Sequence, residues 1–297
     1  MNRSGLTRTI ILATSTLFAA LLCLAIGLLT AQRGPASRLA WPRVAAAGGC
    51  LGLAVLCRPI AIALAPALLP VFVVRHGPHS WKRIGTAYVV CNLVAAGMAG
   101  AWVVRNVAVF GEASLTSVGA VNLYLHRAAY VEAARSGEPV EAVRERLAAE
   151  FERQTRGLSE ADRTRWLERE GQARIVADPL AYAGQHLRGV LRMLGPDHDG
   201  LPQVLSLSTA SDGWRNGWMV RLVVLLGLLH LAVVYAGVVG AVWRCPRDPL
   251  VIAAVTVLIY IAVIGGPEMY ARFRMPLMPL LAAAAGVFVS DGRLSRA

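Results

Sequence analysis

Four arginines stand where apolar segments give way to polar ones: Arg58, Arg105, Arg272 and Arg274. A guanidinium presents a planar fork of donors, and several of them meeting at a lipid–water boundary can hold a lipid phosphate through bidentate, charge-assisted bonds. The competing reading is that each one only snorkels from its own helix end. Asn106 stands beside Arg105, and His126 with Arg127 could approach a sugar or a phosphate. A hydroxyl nucleophile would also need a base, because its own acidity is far too low at neutral pH. No Asp or Glu precedes Glu112. Glu112, Asp197, Asp199 and Glu268 are the acids that could serve, and Glu268 is the best of them because it lies beside Arg272 and Arg274; its plain alternative is a salt bridge. Asp197-His198-Asp199 has metal-ligand residue types but follows Gly195-Pro196 and reads as a solvated turn, while Pro78 spoils a helical pair of His76 and His79. Neither a metal nor a cofactor is expected.

The elements that must position these residues are oily. Apolar residues make up 56% of the 297 positions, charged residues 16%, and mean hydropathy is +0.53, against about 45–50% and about 25% in soluble domains. The net charge of +12 invites a nucleic-acid reading, but between Asn106 and Asn216 thirteen arginines face fifteen acids, a balance of −2. The remaining +14 sits largely in short stretches between apolar runs, which is the footprint of membrane topology and not of a phosphate-backbone groove. Four of the five cysteines lie inside apolar runs, so neither a disulfide framework nor zinc spacing is present.

An apolar run from Ile10 to Thr30 follows Arg3 and Arg8, lacks a convincing cleavage site and reads as a retained span. The next, Val44 to Val74, is interrupted at Arg58-Pro59 by a charge and a helix breaker. The simplest reading is a hairpin of two short helices with Arg58 at the far surface; the alternative is one broken helix with a buried arginine. Ile84 to Val104 forms another span, ending at Trp102 and Arg105. From Asn106 to Asn216 the chain turns polar and helical. Val140, Val143, Leu147 and Phe151 fall at helical spacing, Ser159 and Asp162 make a capping box, and Asp178-Pro179 starts a helix that Gly195-Pro196 stops. Spans at Met219–Trp243, Leu250–Gly265 and Pro276–Ser290 close the chain, with Arg221 able to snorkel and His230 expected to bond a neighbouring helix.

The expected architecture is therefore all-α and polytopic, with about seven transmembrane helices, two of them short and paired in a 44–74 hairpin. It divides into N-terminal transmembrane helices over residues 1–105, a helical loop over residues 106–216 and C-terminal transmembrane helices over residues 217–297. Tracing sides puts Arg33, Arg38, Arg43, Arg75, Lys82, Arg83, Arg244, Arg247, Arg293 and Arg296 on one face. By the positive-inside rule that face is cytoplasmic, so the large loop is extracytoplasmic and the host is the plasma membrane.

Four stretches carry a resemblance. Gly52 to Pro59 looks like the GLAxLxRP element of C-type (GT-C fold) glycosyltransferases related to protein mannosyltransferases and lipid A aminoarabinose transferases. Ala101 to Asn106, followed by Phe110-Gly111, resembles that family's PWxxRN…FG element, with Ala101 in place of the usual proline. Ser117 to Tyr124 is similar to SxxxGxNLY, and Arg272 to Pro279 to RFRxPLxP. The resemblance runs from Gly52 onward and implies transfer of a sugar from a polyprenyl-phosphate donor to an acceptor on the outer side of the membrane. It implies that Arg58, Arg105, Arg272 and Arg274 hold the donor phosphate and that Asn106, Asn122, Tyr124 and His126 line the pocket. Such enzymes carry an acid in their first outward loop, and this sequence has none there. The expectation is accordingly a truncated or split form lacking the front of the family architecture, its early helices absent or supplied by another chain, or a non-catalytic subunit that binds lipid-linked sugar. A small permease is the remaining rival, and it would need paired charges inside the spans beyond Arg58, Arg221 and His230.

Overall fold

The computed structural model describes residues 3–31, 40–76, 81–111, 113–116, 118–195 and 217–294, and all regular structure among them is helical. Glu112, Ser117, Arg33, Arg38, His79, Arg296 and the Asp197-His198-Asp199 turn fall outside the described residues.

Among the described residues, four helices are long and apolar enough to cross a membrane: Ala13–Thr30, Trp81–Phe110, Val224–Arg244 and Ala271–Ser290. A span needs about 20 apolar residues. Three shorter apolar helices accompany them, at Trp41–Cys57, Pro59–Arg75 and Pro249–Ile264. The chain packs into two compact units, one of residues 1–99, 196–261 and 272–297, the other of residues 100–195 and 262–271.

In the first unit α1 (Arg3–Thr30) packs along α2 (Trp41–Cys57). Gly48 and Gly52 of α2 let α5 (Trp81–Phe110) approach closely: a Cβ at Gly48 would stand 2.5 Å from the Cys91 carbonyl oxygen, and one at Gly52 2.9 Å from the Met98 Cβ. Apolar helices gain little by association in lipid except van der Waals contact, and small residues four apart supply it. At Arg58 the backbone becomes extended (φ −145°, ψ 106°), Pro59 begins a 3₁₀ turn, and α3 (Leu64–Ala67) and α4 (Leu69–His76) follow. Arg58 donates to the Ser15 hydroxyl near the start of the apolar span Ala13–Thr30 of α1, whereas Arg75 donates to the Leu29 carbonyl at its end, 2.7 Å away. Those two levels on α1 are about 21 Å apart by helical rise. The chain therefore reverses at Arg58-Pro59. Non-helical backbone at membrane depth needs partners from elsewhere in the protein, and Tyr260 provides them. Its hydroxyl donates to the Ile60 carbonyl at 2.5 Å and accepts from the Ala63 N–H at 3.0 Å.

The second unit is built on a helical hook. The helix α6 (Val118–Val121) runs into a π-helical stretch, Asn122–Ala128, and on into α7 (Ala129–Ser136). Then come α8 (Val140–Gln154), α9 (Glu160–Ala177) and α10 (Pro179–Leu194). Val143 and Leu147, foreseen at helical spacing, are fully buried with Ala120, Tyr124, Ala129 and Leu167 in one small core. Both N-caps form: Ser159 accepts from the Asp162 N–H at 3.2 Å, and Asp178 from the Ala181 N–H at 2.9 Å; in place of the return bond of a capping box, the Ser159 hydroxyl donates to the Asp162 carboxylate at 2.6 Å. One boundary moves. The sequence turns polar at Asn106, yet α5 continues to Phe110, because polarity alone does not end a helix and no Gly or Pro intervenes before Gly111. The remaining helices are α11 (Gly217–Arg244), α12 (Pro249–Ile264), α13 (Ala271–Arg274) and α14 (Met278–Leu294), the last pair joined by a 3₁₀ turn at Met275–Leu277. Within the first unit α11 packs on α14.

Candidate functional site

Apolar residues Ile84 to Val104 occupy about 31 Å of α5, bounded by Lys82 and Arg83 at one end and Arg105 at the other. Trp102 lies one turn before Arg105, and the Arg105 guanidinium carbon is 4.9 Å from the Trp102 ring centroid and 5.2 Å from that of Phe110. The guanidinium donates to Asn106 Oδ1 at 3.0 Å, and Asn106, buried at 8% exposure, donates through Nδ2 to the Ser114 carbonyl at 2.8 Å. Asn106 thus ties the chain beyond the helix back to its last turn. Arg105 itself is exposed. The result is a cation held in a fixed place by two rings and an amide, with its outer side open to a ligand.

Downstream, the turn 262–271 is clamped by the helices of the second unit. Arg127 donates from Nε to Glu268 Oε1 at 3.2 Å and from a terminal nitrogen to the Ile264 carbonyl at 2.7 Å. His186 Nε2 bonds the Ala262 carbonyl at 2.7 Å, and Arg192 donates to the Pro267 carbonyl at 2.6 Å and to the Tyr130 hydroxyl at 3.3 Å. The last carbonyls of a helix lack partners within it and carry its negative end. Arg127 and His186 supply donors there for α12, and the Arg127 guanidinium supplies charge. Gly189 makes the approach possible: a Cβ would stand 2.8 Å from the Gly266 carbonyl oxygen, and Gly266 takes φ +84°, which suits glycine. Glu268 keeps only 14% of its side chain exposed and Arg127 27%.

Searched against family models, curated proteins and solved structures, the chain matches none.

The remaining sequence candidates divide between the units. Arg58, Arg272 and Arg274 belong to the first, and Arg105, Asn106, Asn122, Tyr124, His126 and Glu268 to the second. Arg58 lies against α1, bonded to Ser15 and 5.9 Å from the Phe18 ring centroid. Arg272 is half-buried and Arg274 buried. Asn122, Tyr124 and His126 share the π-helical stretch, and a π-turn often marks a specialised position. Tyr124 is wholly inside the core: Trp166 meets it edge-on at 5.0 Å, and the Arg174 guanidinium lies 5.3 Å from its ring. Arg174 in turn pairs with Glu132 and Glu150. Burial pushes the Tyr124 phenol up, against the opposing pull of Arg174. Its contacts are those of packing. Burial, and then the nearby Arg144 charge, lower the pKa of half-buried His126 and favour the neutral imidazole.

Sequence reading passes over Tyr130, His186 and Arg192. One signal is present: Tyr182, His186, Gly189 and Met193 fall at i, i+4, i+7 and i+11, a single stripe down α10. The stripe does not name its partner, which lies 75 residues away for Arg192 and 76 for His186.

Proposed function

We propose that this protein is a membrane glycosyltransferase of the C-type architecture, which uses a polyprenyl-phosphate-linked sugar and works at the outer face of the plasma membrane. The observation that carries the reading is Arg105, held exposed between Trp102 and Phe110 where the apolar stretch of α5 ends and braced by Asn106. These are the residues of the R-N…F-G stretch whose likeness first suggested the family. In this reading Arg105 binds the donor phosphate, the role that the resemblance also gives to Arg58, Arg272 and Arg274. The acceptor hydroxyl oxygen attacks the anomeric carbon, the bond from that carbon to the phosphate oxygen breaks, and the polyprenyl phosphate leaves with the electron pair. The hydroxyl proton passes to a carboxylate. Asn106, Asn122 and His126 shape the polar surroundings.

A second reading has a specific observation in its favour. Glu268, the best-placed acid in the sequence, is engaged by Arg127 and mostly buried. A carboxylate held by an arginine and mostly shielded from solvent has little room to reach an acceptor hydroxyl, so a subunit that binds lipid-linked sugar without transferring it is the alternative. One experiment addresses both. The chain in lipid nanodiscs is titrated with polyprenyl-phosphate sugar and assayed for release of polyprenyl phosphate. Donor binding that weakens at least about tenfold in Arg105→Ala, equivalent to roughly 1.4 kcal/mol, and recovers partially in Arg105→Lys supports the phosphate role. Release of polyprenyl phosphate distinguishes transferase from binder. Donor affinity unchanged in Arg105→Ala removes the ground for both.

A further inference from the structure

The stripe of α10 that grips 262–271 has a counterpart on its other side. Leu180, Leu187 and Leu191 are 84%, 60% and 61% exposed. Spacings of seven and four residues place them within about 40° of one another around the helix. Ala183, Val190 and Leu194 fall on the same side. The helix contains no acid; its charges are Arg188 and Arg192. By contrast α8 and α9 mix arginines with four acids each, the pattern of water-facing helices.

What covers the stripe follows from what the opposite face holds. Through His186 and Gly189, α10 sits on the last turn of α12 and on the turn just after it. No residue of α12, from Pro249 to Ile264, is charged, and its Ile259 and Val263 are 56% and 64% exposed. The end of an apolar helix that faces lipid marks the level at which hydrocarbon gives way to headgroups. A helix seated there with an apolar stripe on one side, arginines for charge and no carboxylate has the make-up of a membrane-surface helix.

We propose that α10 is an interfacial helix whose occupant is the lipid bilayer: Leu180, Leu187 and Leu191 enter the acyl boundary, and Arg188 reaches lipid phosphates from the flank. This rests on the apolar helices and on the two faces of α10, and it stands whether or not the protein transfers sugar. The test uses the full chain in vesicles of phosphatidylcholine and phosphatidylglycerol, with the photo-crosslinker benzoylphenylalanine in place of Leu180 or Leu187. Glu160 and Arg165 of α9, whose side chains are 81% and 73% exposed, are the control positions. Peptide mapping after irradiation is expected to find phospholipid adducts at both leucine positions and several-fold fewer at the controls. Adducts to another copy or another segment of the chain, absence of lipid adducts, or equal labelling at the controls would overturn the proposal. Hydroxyl-radical footprinting of the unmodified chain guards against a folding defect. In the same vesicles Leu187 and Leu191 should be protected several-fold relative to Leu158, which is 45% exposed; equal oxidation would also overturn it.

Discussion

Replacing Tyr260 with Phe removes one oxygen and two hydrogen bonds. The hydroxyl gives its proton to the Ile60 carbonyl at 2.5 Å and accepts the Ala63 N–H at 3.0 Å. Both backbone groups belong to the irregular stretch after Arg58-Pro59, where the helical ladder cannot serve them. An unsatisfied buried group costs about 1–3 kcal/mol in water-soluble proteins, but measured interhelical bonds in membranes average about 0.6 and reach about 1.7. Two such bonds lost together, with no volume change, should destabilise the fold by about 1–2 kcal/mol, a factor of about 5–30 in the unfolding equilibrium. Tyr88 supplies an internal scale, since its hydroxyl makes a single bond, to the Pro66 carbonyl at 3.0 Å. Tyr88→Phe should cost less than Tyr260→Phe. Reversible unfolding by steric trapping in bicelles measures both. If Tyr260→Phe lies within about 0.3 kcal/mol of the parent, below the additivity error of such measurements, or if Tyr88→Phe costs more, the claim that Tyr260 sustains the break is wrong.

Gly189→Ala should destabilise the second unit by about 1–3 kcal/mol, because its Cβ would press on the Gly266 and Pro267 carbonyls. Gly184→Ala on the same helix, with nothing within 4 Å, should instead stabilise by up to about 1 kcal/mol; hydrogen exchange of 262–271 reads the opposite signs. The folded-state pKa of His126 lies below the ordinary 6.5, so the unfolded chain binds the extra proton first and stability falls as pH drops through 6.5 toward the folded value. His126→Gln should flatten that part of the stability–pH curve, as measured by thermal unfolding at a series of pH values.

Much of this architecture is legible in local pattern. The apolar runs, the interruption at Arg58-Pro59, the Ser159 and Asp178 caps and the spacing of Val143 and Leu147 are properties of neighbours in sequence, and each has a counterpart in the structure. What escapes depends on partners far along the chain. Arg127 and Glu268 are 141 residues apart, and neither periodicity nor charge count pairs them. Sequence proximity gives Glu268 to Arg272 or Arg274 if it forms a salt bridge; an arginine on the π-helical stretch takes it instead. Tyr124 draws attention through its place in the stretch that resembles SxxxGxNLY. Its burial against Trp166 depends on α9 folding back, which composition does not announce.

The shortness of three apolar helices has its own effect on the surroundings. Trp41–Cys57, Pro59–Arg75 and Pro249–Ile264 reach only about 24–26 Å at helical rise, less than the roughly 30 Å of a typical hydrocarbon core. Their outward side chains, such as Ile62 and Ile259 at 58% and 56% exposure, cannot match the bilayer along its full depth. Local thinning of the bilayer is one way in which such hydrophobic mismatch is relieved. Under the proposed function, a dimple of that kind would draw headgroups inward and bring a lipid-borne phosphate toward the arginines at the helix ends without its leaving its own leaflet.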